Sequence, residues 1–197
     1  MKHCFVHVPL VRRAQRWVAK VLRPGDRAMD ATLGNGYDTL FLARQVGATG
    51  RVYGLDVQPR ALANTRRRLH EAGVEERVTL LCCGHELLAQ HVRGPLRAAM
   101  FNLGYLPGGD RGLTTRPNTT RIALAAASAR LGEGGILTVT TYRGHPGGQE
   151  ETEAVWRWVE NLPAKAFIAR VESPLSAATR DDTPLLFIVR RRSSPHN

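Results

Sequence analysis

The sequence predicts an α/β fold: a mostly parallel sheet with helices on both faces and a last strand running antiparallel. Short apolar runs alternate with amphipathic stretches along most of the chain, the pattern of strands and helices laid down in turn. At one strand-to-helix joint, residues 30–39 (DATLGNGYDT), Gly34 and Gly36 stand where backbone must turn sharply, and glycine tolerates the positive φ that such a turn demands. The last two apolar runs are joined only by a polar loop, which an antiparallel pair allows and a parallel pair does not.

Each element follows from its local pattern. Residues 9–22 read as a helix: Leu10, Val11, Ala14, Trp17, Val18 and Val21 keep helical spacing opposite Arg12, Arg13, Arg16 and Lys20, and Pro24-Gly25 ends it. Strands are expected near 27–32, 51–56, 77–83, 97–103, 136–142, 165–172 and 184–191. Helices are expected near 37–47, 59–72, 85–92, 118–131 and 149–161, with Pro59 opening the second of these. Gly132–Gly135 reads as a connector into the fifth strand. The loops GYLPGGDRGLTTRP and RGHPGG are dense in glycine and proline, and long loops inside compact domains are commonly functional. The stretch SPLSAATRDDTP joins the last two strands, and the basic tail 190–197 is expected to fray. With no internal repeat or low-complexity segment, residues 1–197 read as one domain.

Hydrophobic residues make up 43% of the 197 residues, enough for a proper core. The formal net charge is +11 and the isoelectric point about 10.7. Such a balance points to a polyanionic partner, with nucleic acid the first candidate and a merely solubilising basic surface the alternative. Three cysteines, two of them adjacent, form neither a disulfide framework nor a zinc site, and no metal is expected. Cys82 and Cys83 are expected to close a strand and pack in the core. No apolar run approaches the ~20 residues of a membrane span, and no signal-peptide core is evident. A reduced, cytoplasmic protein without a membrane partner is expected.

The glycine turn also narrows the ligand. Asp56 closes the second strand 20 residues after Gly36, the spacing at which α/β nucleotide folds hydrogen-bond a ribose. A dinucleotide fingerprint wants a third glycine, and here that slot is Thr39. The turn opens on Asp30, which would repel a pyrophosphate and attract an ammonium group. S-adenosylmethionine carries that ammonium and no phosphate; a solvated structural turn is the plain alternative. Gly34 and Gly36 would let backbone approach the cofactor. His85 and Glu86 follow the third strand, where the adenine would lie; a helix cap or a surface histidine is the other reading of His85. Asn102-Leu103-Gly104-Tyr105 ends the fourth strand, the place where methyltransferases acting on amino nitrogens carry an N/D-P-P-Y tetrad. Asn102 would accept hydrogen bonds from the target nitrogen and Tyr105 would pack beside it, although both prolines are missing.

Taken in order, DATLGNGYDTLFLA, YGLDVQ, GHE, FNLGYLPGGDR and YRGHPGGQEE resemble the small methyltransferases related to bacterial tRNA 5-(aminomethyl)-2-thiouridine methyltransferase, a group long labelled rRNA methylases. The resemblance runs from about residue 9 to residue 190. It implies the Rossmann-like class I methyltransferase fold with a seven-stranded sheet, and S-adenosylmethionine as cofactor. It implies methylation of 5-aminomethyl-2-thiouridine at the tRNA wobble position to the methylaminomethyl form, hence tRNA, through its anticodon arm, as partner. Carried over as cofactor contacts are Asp30, Asn35, Gly36, Asp38, Thr39, Asp56, Gln58 and His85. Carried over to the reaction side are Asn102, Tyr105, Asp110 and His145. This chain departs in its basic first helix, its arginine-rich tail and Tyr37, where histidine is expected in many relatives.

An alkyl ammonium has no lone pair, so the amine must lose a proton before attack. Asp110 and His145, both in glycine-rich loops, are the candidates to take it; a turn cap and a base-stacking ring are their alternatives. Arg12, Arg13, Arg16, Arg66, Arg67, Arg68, Arg111 and Arg116 are candidates for phosphate contacts, which supply affinity and register. Tyr105 and Tyr142 are candidates for stacking on a flipped base. A different RNA, such as rRNA, and a small-molecule amine remain as alternative substrates, and a homodimer is compatible with an enzyme reading an anticodon arm. A non-catalytic RNA-binding protein and a dehydrogenase fit less well, given the intact cofactor motifs and the missing third glycine.

Overall fold

The structure is a computed structural model that describes residues 9–110, 112–174 and 182–193. Cys4, Arg111, much of the stretch between the last two strands and the end of the tail lie outside them. The elements run α1 (Leu10–Ala19), β1 (Arg27–Asp30), α2 (Tyr37–Gln45), β2 (Arg51–Asp56), α3 (Pro59–Glu71), β3 (Val78–Cys82), α4 (Leu88–His91), β4 (Leu96–Asn102), α5 (Pro117–Arg130), β5 (Leu131–Thr141), α6 (Gly148–Glu160), β6 (Phe167–Glu172) and β7 (Leu185–Arg191). Short 3-10 turns at Glu75–Arg77 and His85–Leu87 precede β3 and α4.

The seven strands form one sheet in the order β3-β2-β1-β4-β5-β7-β6. β1 to β5 pair in parallel, while β7 runs antiparallel to both β5 and β6. The expected sheet, with its antiparallel last strand, is therefore observed. Pro59 and Pro117 each occupy the first turn of a helix, where the missing N–H costs nothing. Three expectations need correction. α1 stops at Ala19, short of the expected 22. β5 begins at Leu131, because Leu131 pairs with Leu96 across an irregularity in the β4 ladder, so Gly132–Gly135 belong to the strand. Cys82 is exposed on the edge strand β3, whereas Cys83, half-buried, packs against the core as expected.

Side chains alternate across the sheet and build a core on each face. On one face Met29, Ala99 and Phe101 pack with Leu88, Leu124 and Val155 from α4, α5 and α6. On the other, Ala28, Ala98 and Met100 pack with Leu10, Val18, Leu42 and Leu69 from α1, α2 and α3. α1 is tied to the far edge of the sheet as well: Arg13 forms a 2.5 Å ion pair with Glu172, and the Trp17 indole N–H donates to the same carboxylate at 3.0 Å.

The strand order reverses between β1 and β4. Open α/β sheets bind ligands at such a point, outside the carboxyl ends of the strands. Asp30 ends β1 and pairs in register with Met100, two residues before Asn102 at the end of β4.

Candidate active site

The turn between β1 and α2 needs its glycines. Gly34 and Gly36 have φ of 52° and 77°, and Gly36 also lies against α3: a Cβ there would stand 2.7 Å from the Thr65 hydroxyl and 2.9 Å from its Cα. Asp56 ties the turn to β2, its two oxygens accepting from the Gly34 and Gln58 amides at 3.0 Å each. The Asn35 side chain spans outward, donating to the Pro107 carbonyl at 3.4 Å and accepting from Asn64 at 3.1 Å. Arg68 donates to the Asn35 carbonyl at 2.8 Å and lies 3.8 Å over the Tyr37 ring, so it braces the turn from α3.

Two acids lie beneath this turn. Asp30 is fully buried and accepts from the Thr39 hydroxyl at 2.6 Å and the Thr32 amide at 3.2 Å. Burial first, and then the Asp38 charge, push its carboxyl up to about 7. Asp38 is 5% exposed. Its Oδ1 accepts from the Gln15 amide at 2.6 Å and its Oδ2 from the Asn102 amide at 2.5 Å. Burial raises its pKa too, opposed by those two bonds and by the Arg12 charge.

Asn102 is held at both ends: its backbone N–H donates to the Thr32 hydroxyl at 2.8 Å while its side chain meets Asp38. With its NH2 turned to Asp38, its carbonyl oxygen remains an acceptor. The next three residues form a turn pinned from α6. The Gly104 amide donates to Thr115 Oγ1 at 2.8 Å, and Thr115 donates onward to Glu151 at 2.6 Å. Thr120 fills the other Glu151 oxygen at 2.6 Å. Glu151 is 1% exposed, and burial raises its pKa against these two bonds and the nearby His145.

Tyr105 and His145 meet edge to face, their ring centroids 5.8 Å apart. His145 Nδ1 lies 3.0 Å from the Pro146 carbonyl, and its Nε2 is buried without a hydrogen-bond partner. Tyr142 projects beside Gly104 and is 38% exposed; burial and then the Asp38 charge raise its pKa. A chain of neighbours thus runs along the switch point: Asp38 bonds Asn102 and acts on Tyr142, Tyr142 and His145 flank Gly104, and His145 meets Tyr105.

Other expected residues stand elsewhere. Asp110 is at an exposed loop tip, where its Oδ1 accepts from the Gly112 amide at 2.7 Å, the turn-capping alternative. His85 is buried rather than superficial, 6.0 Å from the Phe101 ring, and burial lowers its pKa. Glu86 curls back over Gly84, where a Cβ would lie 2.3 Å from its carboxylate. Arg12, Arg16 and Arg116 are exposed; Arg66 and Arg67 make exposed ion pairs with Glu75 and Glu71. Gln15, Thr115, Thr120 and Glu151 are additions from the structure. Gln15 left a sequence signal as a polar side chain in the apolar stripe of α1, and Glu151 closes the YRGHPGGQEE motif.

This strand order, with a glycine turn after β1 and an acid after β2, defines a class I methyltransferase. The family described as "Putative rRNA methylase" matches residues 52–190, and the chain belongs to it. A crystal structure titled a putative rRNA-methylase from Clostridium thermocellum is 39% identical, with a TM-score of 0.87 over 92% of this chain and 96% of that one. A putative methyltransferase from Streptococcus mutans, solved in complex with SAH, is 34% identical, with a TM-score of 0.84 over 93% of this chain and 98% of that one. The chloroplastic tRNA (mnm(5)s(2)U34)-methyltransferase of Arabidopsis thaliana is 40% identical over 76% of this chain. The chain spans 58% of that relative's length. Among the described residues no helix is long and apolar enough to cross a membrane.

Proposed function

We propose that the protein is an S-adenosylmethionine-dependent tRNA methyltransferase that converts 5-aminomethyl-2-thiouridine at the wobble position to 5-methylaminomethyl-2-thiouridine. The observation that carries this reading is the Asn102–Asp38 pair. It sets an amide acceptor and a buried acid side by side at the end of β4, where an amino nitrogen needs both. The 40% identical Arabidopsis relative names the same nucleoside.

The residues fit the cofactor. Gly34 and Gly36 take positive φ and put no side chain into the turn, and two buried acids with raised pKa values suit a ligand bearing positive charge. Gly34, Asn35 and Gly36 would shape the methionine end, with Asp30 and Thr39 beneath it. Asp56 and Gln58 would take the ribose, and His85 with Glu86 would border the adenine. Bound there, S-adenosylmethionine would supply a methyl group on a positively charged sulfur. Asn102 orients the substrate nitrogen through its carbonyl oxygen, so that the lone pair points at that methyl within ~3–3.5 Å. Tyr105 and Tyr142 hold the flipped base, and His145 sets the Tyr105 ring.

The exposed arginines Arg12, Arg16, Arg66, Arg67 and Arg116 give tRNA its phosphate contacts, with the anticodon arm entering over α1 and the loop before α5. Arg13 and Arg68 serve the fold first. The cytoplasm, where tRNA matures, is the proposed setting; residues 1–197 would act as one domain, and a homodimer would present two such faces. A second reading, rRNA as substrate, draws on the family's description.

Transfer of radiolabelled methyl separates these readings. The purified protein would be offered tRNA bearing 5-aminomethyl-2-thiouridine, ribosomal RNA and a free alkylamine in parallel. Label in the tRNA alone supports the proposal; label in rRNA or the free amine alone overturns it.

A further inference from the structure

We infer that Asp38 receives the charged amine of the substrate and takes its proton, and that Gln15 of α1 holds Asp38 in place for that task. The inference rests on the function proposed above, and it assigns to Asp38 a role different from cofactor contact.

The geometry points to Asp38 over the loop residues. Its carboxylate touches Asn102 at 2.5 Å, so a nitrogen bound to the Asn102 carbonyl lies within a few ångströms of it. A general base must reach the proton it removes at ~2.6–3.2 Å or through one water. Asp110 is exposed at the loop tip and already caps the Gly112 amide. His145 meets Tyr105 edge to face, and its charge acts on Glu151.

Asp38 is built to stay in place. Gln15 is 7% exposed, on the buried stripe of α1 with Leu10, Ala14 and Val18. Its amide donates to Asp38 at 2.6 Å while its carbonyl accepts from Arg12 at 3.1 Å. A buried glutamine with both ends engaged, spending its N–H on a carboxylate, is a positioning residue. The groups facing Asp38 are Asp30 from β1, Arg12 and Gln15 from α1, Asn102 from β4 and Tyr142 after β5. Burial makes the carboxylate more basic, and the Gln15 and Asn102 amides and then the Arg12 charge oppose that rise.

The step balances. One N–H bond of the substrate ammonium breaks and an O–H bond forms on Asp38, leaving a neutral amine with its lone pair. The nitrogen then forms its bond to the methyl carbon as the carbon–sulfur bond breaks, that electron pair remaining on sulfur. The product leaves as a protonated methylamine, and Asp38 returns its proton to water.

The test compares wild type, Asp38→Asn and Gln15→Leu, using tRNA with and without the aminomethyl group. Single-turnover rates across pH, SAH affinity and tRNA affinity are measured, with melting temperature as the check on folding. Asp38→Asn should cut the rate about 10²–10⁴-fold and remove the acidic limb that follows Asp38 ionisation. It should leave SAH affinity within about threefold and abolish the preference for tRNA bearing the amine. Gln15→Leu should move the acidic limb to higher pH while keeping most of that preference; it serves as the probe if Asp38→Asn fails to fold. Unchanged rate and pH profile in Asp38→Asn would overturn the inference, as would a loss of SAH affinity matching the loss of rate. Removal of the acidic limb by Asp110→Asn or His145→Gln instead would also overturn it. If wild type binds SAH but never methylates this tRNA, the proposed function fails and takes the inference with it.

Discussion

Thr115 donates a 2.6 Å hydrogen bond to the buried carboxylate of Glu151 while its hydroxyl oxygen accepts the Gly104 amide at 2.8 Å. One side chain thereby fixes the Leu103–Tyr105 turn, at the end of β4, to the first turn of α6. Thr115→Val keeps the shape and removes both bonds, leaving a buried acceptor and a backbone donor short of partners. The cost should be about 1–3 kcal/mol by urea denaturation. Turnover should fall while SAH affinity, measured calorimetrically, stays near wild type.

Gly36 is constrained twice, by its φ of 77° and by Thr65 at 2.7 Å from any added Cβ. The nearest atoms include the Thr65 Cα, so the clash cannot be relieved by a rotamer change alone. Gly36→Ala should destabilise by about 1–3 kcal/mol and weaken SAH binding more than RNA binding. Equal weakening of both would point to general unfolding, which the melting temperature would register.

The raised pKa of Asp30 has a defined consequence for stability. Its carboxyl titrates at about 7 in the native state against an ordinary 3.8, so between those values the native state holds more protons than the unfolded chain. Its contribution is full below pH about 3.8 and is lost as pH rises through about 7. Asp30→Asn should flatten the decline in stability across that window, read from urea titrations at closely spaced pH. An unchanged slope would show that another group carries it.

Arg13 and Arg16 sit three residues apart on α1 but do different work. Arg13 is bonded to Glu172 and to the Ser173 carbonyl at 2.8 Å; Arg16 is exposed. Arg13→Ala should lower the melting temperature and leave the salt dependence of tRNA binding alone. Arg16→Ala should leave stability alone and reduce the salt slope by about one.

The fold was legible because its signals are local. Apolar runs marked all seven strands, and Gly36 and Pro59 marked helix starts. β5 was misread at its beginning because four residues including three glycines look like a turn; Leu131 joins the ladder only because Leu96 is there to pair with it. The site was legible where it follows strand ends: Asp30, Asp56 and Asn102 fall where the topology must place them. Asp38 was legible as a motif position but not as the partner of Asn102. Its contacts with Gln15 and Asn102 span 23 and 64 residues, and those of Glu151 with Thr120 and Thr115 span 31 and 36. Such pairings leave no periodic trace in a sequence.

Nucleoside mass spectrometry tests the proposed reaction most directly. The purified protein would be incubated with S-adenosylmethionine and tRNA bearing 5-aminomethyl-2-thiouridine, and the RNA digested to nucleosides. The expected result is loss of that nucleoside and matching appearance of 5-methylaminomethyl-2-thiouridine. An unchanged nucleoside, with SAH binding intact, would contradict the assignment of the tRNA wobble amine as substrate.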